Sequence, residues 1–180
     1  YLYVLTGTTT YRTYFDANYN SVHLMEWDYA YPFETPYQDG LLYYGRAAGA
    51  TMSVVNDIRT VYTNSLSSWN ADNLPAFTSN LDAYRAYMND GNYTWGNNQF
   101  KAQQGSMFAS MNVYGLNAPN ATPYRNAASG FVHYLHGVNP TCFAYLSNMG
   151  AFGAENSINE FYNSWFVDGS ALWDRVGVSL

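Results

Sequence analysis

Apolar residues recur at three- and four-residue intervals along much of the chain, the spacing that lays a single stripe down one side of a helix. The longest stripe is Val54, Val55, Ile58, Val61, Tyr62 and Leu66, with Ser53 placed to cap its start. Phe100, Met107, Phe108 and Met111 share one face of a second predicted helix, Gln99 to Tyr114, which Asn98 can cap. A third carries Tyr124, Ala127, Ala128, Phe131 and Leu135, and opens on Thr122 and Pro123, a cap and a first-turn proline. Shorter patterns predict a helix tail over Tyr1 to Leu5 stopped at Gly7, and a helix through Tyr11, Tyr14 and Phe15 towards Asn18, capped by Thr9 or Thr10. Two more are predicted, one from about Tyr37 through Leu41, Leu42 and Tyr44 to about Gly49, the other from Asp82 to Met88 before a turn at Asn89 to Gly91.

Between the stripes the pattern breaks. SVHLMEWDYAYPFETP reads as a loop with at most a short helical turn, SSWNADNLPAFTSN as a polar connection containing Pro75, and YTWGNN as an aromatic loop. From Gly137 and Pro140 onward to Asp174 the chain is rich in aromatic residues and Asn and has neither a helical nor a strand period. Backbone buried in such a segment must be satisfied by side chains, and loops carried on rigid scaffolds often hold function. No run alternates strictly enough for a half-buried strand, so the predicted class is all-α: helix–loop–helix units with long aromatic-rich loops. Periodicity alone fits a bundle or part of a toroid.

Composition narrows the function. Tyr, Phe and Trp reach 19% of the 180 residues and charged residues only 11%, a length that suits one domain spanning 1–180. So many rings make a large aromatic core, a set of sugar-stacking platforms, or both, because a ring packs on the apolar face of a pyranose while its edge stays wet. A net charge of −6 with a single lysine, Lys101, argues against nucleic acid and anionic membrane as partners, and no apolar run is long enough to span a bilayer. A neutral polysaccharide needs no charge steering. Cys142, the one cysteine, permits no intrachain disulfide and is expected as a small buried hydrophobe. The chain opens mid-pattern on YLYVLTG, as a mature or incomplete polypeptide would, and sequons at Asn92 and Asn120 are compatible with secretion.

Candidate chemistry in these residues is sparse. His133 and His136 have a spacing compatible with a metal, but no third ligand is evident, which favours helix C-terminal charge or a structural bond. No calcium loop, phosphate loop or Ser/His/Asp spacing occurs, so no metal or cofactor is expected. Glu26 with Asp28, and Glu155 with Glu160, read as solvated acids or as acceptors of backbone N–H groups.

HYLHGVNP, YLSNM, FGAENSINEFYNSWF and DGSALWDRVGVS resemble the C-terminal half of glycoside hydrolase family 9 catalytic domains, and the likeness runs the length of the chain. The resemblance implies an inverting β-1,4-glucanase and helical hairpins forming part of an (α/α)6 barrel, with residues 1–180 a single partial catalytic domain. Inversion uses an acid and a base carboxyl roughly 6.5–9.5 Å apart. The family carries its base in an early Asp-x-x-Asp motif and its acid in a late glutamate, neither of which matches a segment of this chain, so no residue inherits those roles.

Glucan binding does carry over. Trp27 and Asp28 match the family's Trp-Asp platform motif, and Trp95 in WGNN matches a second platform whose usual Arg-Tyr continuation is replaced by Gln99 and Phe100. The family's His-x-Arg signature falls at EFYNSWF, giving Tyr162, Asn163 and Trp165 as further substrate-binding residues, with an uncharged Asn163 where related sequences have His. Without the resemblance, Trp27 and Trp95 read as core tryptophans in preference to platforms. The implied partners are β-1,4-glucan or a related polysaccharide, and either the remainder of the barrel or another copy. Either would cover Tyr1, Leu2, Tyr3 and Val4 at one edge and Trp165, Phe166, Leu172 and Trp173 at the other. The implied location is extracellular. Two alternatives stand beside this reading: a non-catalytic carbohydrate-binding or structural protein derived from the same fold, and an unrelated helical protein whose aromatics are core.

Overall fold

The computed structural model describes residues 1–80, 82–94, 96–147 and 149–158. Its main helices are α1 (Leu2–Thr6), α2 (Thr9–Asn18), α3 (His23–Trp27), α4 (Thr35–Tyr44), α5 (Met52–Asn64), α6 (Leu74–Ser79), α7 (Asn97–Val113) and α8 (Ala121–Leu135). A short parallel pair, β1 (Ala144–Ser147) and β2 (Ser157–Ile158), comes after them. Strands this brief leave no alternation to read, and the class is all-α as the stripes predict.

The three long stripes face one core. Ile58, Tyr62 and Leu66 on the α5 side, Met107, Phe108 and Met111 on α7, and Tyr124, Ala127 and Phe131 on α8 are all buried. Phe108 and Phe131 have ring centroids 6.1 Å apart, and Phe77 from α6 lies within 6.0 Å of the first and 5.6 Å of the second. Helices α7 and α8 approach closely because Gly105 lies against Phe131. The pairs Gly105–Phe131 and Phe108–Tyr124 run in opposite senses, as an antiparallel hairpin requires.

The helix starts differ from the predicted caps, for local reasons. Helix α5 begins after Thr51, whose hydroxyl donates to Asp16 at 2.6 Å, and Ser53 falls inside the first turn. Thr8, not Thr9 or Thr10, precedes α2. Gly96, with φ 78°, precedes α7, so Asn98 lies within the helix. Thr122 and Pro123 lie in the first turn of α8, which succeeds a 3-10 turn over Ala118–Asn120.

Two predicted connections are more ordered than expected, and one predicted helix is absent. SVHLMEWDYAYPFETP contains α3 and a 3-10 turn at Pro32–Glu34, and is entered from another at Tyr19–Ser21. The polar connection holds a π-helical turn, Ser65–Trp69, and then α6, whose Asn73 cap accepts from the Ala76 N–H at 2.8 Å. Pro75 fits the first turn of α6, where an N–H is not needed. The helix expected over Asp82 to Met88 does not form. The Asp82 carboxylate takes the Ala86 N–H at 2.6 Å, Lys101 takes the Ala86 carbonyl, and Arg85 sits at φ 53°. Side chains thus claim the groups a helical turn would pair.

Past α8 the chain breaks at Gly137 and Pro140 as expected, and buried Asn139 organises the turn there. Its amide donates to the Tyr134 and Phe143 carbonyls at 2.7 and 2.8 Å, while its oxygen accepts from Thr141. Cys142 is carried on that turn at φ 52° and is exposed, not buried as its residue type suggested.

At the other end Tyr1, Leu2 and Val4 are exposed, as expected for an uncovered edge. Tyr3 is an exception: it packs on the core and donates its hydroxyl to the Ala48 carbonyl at 2.8 Å. Residues Trp165, Phe166, Leu172 and Trp173 lie outside the described residues.

Gly130, buried on α8, abuts the Arg85 carbonyl so closely that an added Cβ would overlap its oxygen. Gly130→Ala is therefore expected to destabilise the fold by about 1–3 kcal/mol in a denaturant titration. A change within about 0.5 kcal/mol, the range of ordinary surface substitutions, would contradict the packing described.

Candidate functional site

Helix α3 carries the first predicted platform. Leu24, 1% exposed, anchors the helix in the core, and Asp28 ends it in the left-handed region at φ 52°. Trp27 points outward, 49% exposed, so it is not a core tryptophan. The His23 imidazole lies parallel to the indole, with centroids 3.7 Å apart and planes 8° apart. His23 Nδ1 is 2.6 Å from Glu34 Oε1, which ties this stack to the Pro32–Glu34 turn.

From Trp27 the rings continue as a track. Tyr31 meets the indole edge-on at 6.2 Å, Tyr29 lies 6.1 Å from Tyr31, and Phe33 lies 5.4 Å beyond Tyr31. Phe33 then contacts Phe100 at 6.2 Å and sits beside Gly96, where a Cβ would be 3.9 Å from its ring. The loop after α3 and the start of α7 therefore meet through Phe33. Trp95 itself, with Tyr162, Asn163 and Trp165, lies outside the described residues.

Backbone bonds hold the track in place. The Ala30 N–H donates to Ser65 Oγ at 2.8 Å, and the Tyr31 carbonyl accepts from Gln38 Nε2 at 2.7 Å. Beneath lies a buried polar layer. Asp72, 1% exposed, accepts the Asn89 N–H and the Asn92 side-chain amide, and Gln104 donates to the Asp72 carbonyl at 2.9 Å. Burial raises the Asp72 pKa, opposed by those two hydrogen bonds and by the charge of Lys101. Lys101 is itself buried, with its ammonium 4.5 Å from the Tyr134 ring centroid and 5.3 Å from that of Tyr93; burial lowers its pKa, against the pull of Asp82 and Asp72. The single lysine is thus a structural group. The Asn92 nitrogen, the atom a glycan would modify, is committed to Asp72.

Of the candidate acids, Glu26, Asp28 and Glu155 are exposed, and Glu160 lies outside the described residues. His133 and His136 are exposed at the end of α8, and no group of three metal-ligating side chains occurs among the described residues. The face around Trp27 can stack and hydrogen-bond a neutral ligand.

The family model for Glycosyl hydrolase family 9 matches residues 1–168. The chain belongs to that family. Comparison with curated proteins and with solved structures gives no match. The mostly helical chain is consistent with part of the (α/α)6 toroid that the resemblance implied. Membership makes it a sequence of the cellulase-type glycoside hydrolases, a family that implies a polysaccharide of the glucan class as substrate.

His23, Glu34, Tyr31 and Phe33 were not singled out from the sequence. The signal was present for His23: it precedes Trp27 by four residues, a spacing that stacks two rings once VHLMEW is helical.

The buried phenols make the fold sensitive to alkali. Burial, with the Asp72 carboxylate adding to it, pushes Tyr29 up to about 12, and burial also raises Tyr124 and Tyr134. A pKa raised by folding contributes stability that is whole below the unfolded value of about 10 and lost as pH climbs through the folded one. Helical circular dichroism is therefore expected to collapse between about pH 10 and 12, together with the appearance of phenolate absorbance from these tyrosines. Phenolate absorbance reaching its full amplitude before any loss of helix would contradict this.

Proposed function

We propose that residues 1–180 are the C-terminal part of an inverting β-1,4-glucanase catalytic domain that supplies glucan-binding subsites, the acid and base residing in other segments. The observation that carries this reading is the outward, half-exposed indole of Trp27, flat on His23 and continued by Tyr31 and Phe33 towards Gly96. A large indole held rigid in water is an apolar surface already ordered for a pyranose. On this reading Asp28, exposed and next in sequence, accepts a hydrogen bond from a sugar hydroxyl. On the same reading Trp95, Tyr162, Asn163 and Trp165 bind further glucosyl units, as the motif match implies.

The exposed apolar groove of about 470 Å³ between α1, α2 and α4, bordered by Tyr1, Leu2, Val4, Tyr11 and Tyr14, takes the remainder of the catalytic domain or a second copy on this reading. An extracellular location accords with a polymeric substrate. One observation favours a second reading, a carbohydrate-binding protein descended from the same fold: Asn163 stands where related motifs have His. Release of reducing sugar from carboxymethylcellulose by the full native chain supports the first reading. Binding without release supports the second.

Trp27→Ala is expected to weaken cello-oligosaccharide binding by about 1–3 kcal/mol in calorimetric titration, with the fold's stability little changed because the side chain is half in water. Unaltered affinity would remove the platform.

A further inference from the structure

We propose that His23 is a positioning residue for Trp27: it fixes the indole so that one face only is presented to a ligand. The inference rests on the reading of Trp27 as a glucan platform and adds the device that sets it. His23 and Trp27 lie one turn apart on α3, with ring centroids 3.7 Å apart and planes within 8°. The imidazole therefore occupies one face of the indole and leaves the other to solvent. Rotation of the imidazole is held at Nδ1, 2.6 Å from Glu34 Oε1. The Glu34 side chain is only 20% exposed, so the anchor belongs to the body of the fold. Glu26 stands on the other side, 3.9 Å from Nε2. The Tyr31 ring also neighbours the indole, with centroids 6.2 Å apart and planes 69° apart.

A half-exposed tryptophan on a five-residue helix would otherwise turn about its side-chain torsions, and each binding event would have to order it. The ring beneath does that in advance. On this reading a ligand on the opposite face of the indole is separated from the imidazole by the indole itself, so His23 acts through Trp27 although its own side chain is 42% exposed.

The test is a double-mutant cycle in the full native chain, with cellohexaose as the probe and Kd read by isothermal titration calorimetry. His23→Ala is expected to weaken binding roughly three- to tenfold, the range for loss of a stacked ring pair. In the Trp27→Ala background His23→Ala should cause no further loss. His23→Phe, which keeps a flat ring beneath the indole, should recover most of the affinity. Acrylamide quenching of the Trp27 emission, taken as the difference from Trp27→Phe, should increase in His23→Ala because a second face opens. That reading also serves if His23→Ala is less stable than the parent, since His23→Phe then carries the affinity comparison.

The outcomes separate the platform from its positioning. Trp27→Ala without effect on Kd overturns the platform and this inference with it. A weakened Trp27→Ala beside an unaffected His23→Ala overturns the positioning role alone. A His23→Ala loss that persists undiminished in the Trp27→Ala background also overturns it, because His23 would then act elsewhere.

Discussion

The close approach of α7 to α8 is the constraint on which most other features depend. Gly105 lets the Phe131 ring settle against the α7 backbone, and Gly130 lets α8 reach the Arg85 carbonyl. With the helices at that distance, Phe77, Phe108, Tyr124 and Phe131 close into one aromatic cluster. Each such side chain contributes about 1.5–3 kcal/mol on burial, comparable in sum to the whole net stability of a domain. Fixing α7 also fixes what hangs from its other sides. Lys101 and Gln104 reach out to hold the irregular chain at Ala86 and Asp72, and Gly96 at its start meets Phe33. The candidate ligand face is therefore braced at Phe33 by α7, in addition to its anchors at Leu24, Ser65 and Gln38.

The buried polar layer between α7 and that irregular chain explains why its composition looks unlike a core and yet packs as one. Asp72, Lys101 and Gln104 are all at most 2% exposed. Asp72 and Lys101 are hydrogen-bonded and the Gln104 amide donates to the Asp72 carbonyl, which offsets much of the cost of burying them, whereas Gln104 Oε1 has no hydrogen-bond partner among the described residues. Lys101 holds the Ala86 carbonyl, Gln104 holds the Asp72 carbonyl, and the Asp72 carboxylate holds Asn89 and Asn92, so the layer ties the conformation of residues 82–92 to the position of α7.

How much was legible in the sequence depends on what each segment relies on. The stripes of α5, α7 and α8 were readable because burial on a 3.6-residue period leaves its mark whatever the details. Their caps were misplaced by two residues: Thr51, Gly96 and Asn120 precede the helices without a side-chain cap bond, and the Thr51 hydroxyl is taken by Asp16. Asp82 to Met88 carries a helical pattern, but its backbone is claimed by the side chains of Asp82 and of Lys101, nineteen residues on from Asp82. No local pattern reports such a competitor. Cys142 failed for a similar reason, since the turn that exposes it is built by Asn139. For the site, Trp27 was singled out by its motif and not by period, and the family match over residues 1–168 bears out the resemblance from which that motif was taken. The stack on His23 was hidden because the segment looked like a loop.

The proposed role of the chain turns on whether the rings from Trp27 towards Gly96 form the face that receives glucan. Soaking crystals of the full native chain with cellotetraose and determining the complex tests this most directly. The expected complex has a pyranose lying flat on the indole face of Trp27 opposite His23, with the next unit directed along Tyr31 and Phe33. A bound oligosaccharide whose rings lie elsewhere on the molecule, with Trp27 untouched, would contradict it.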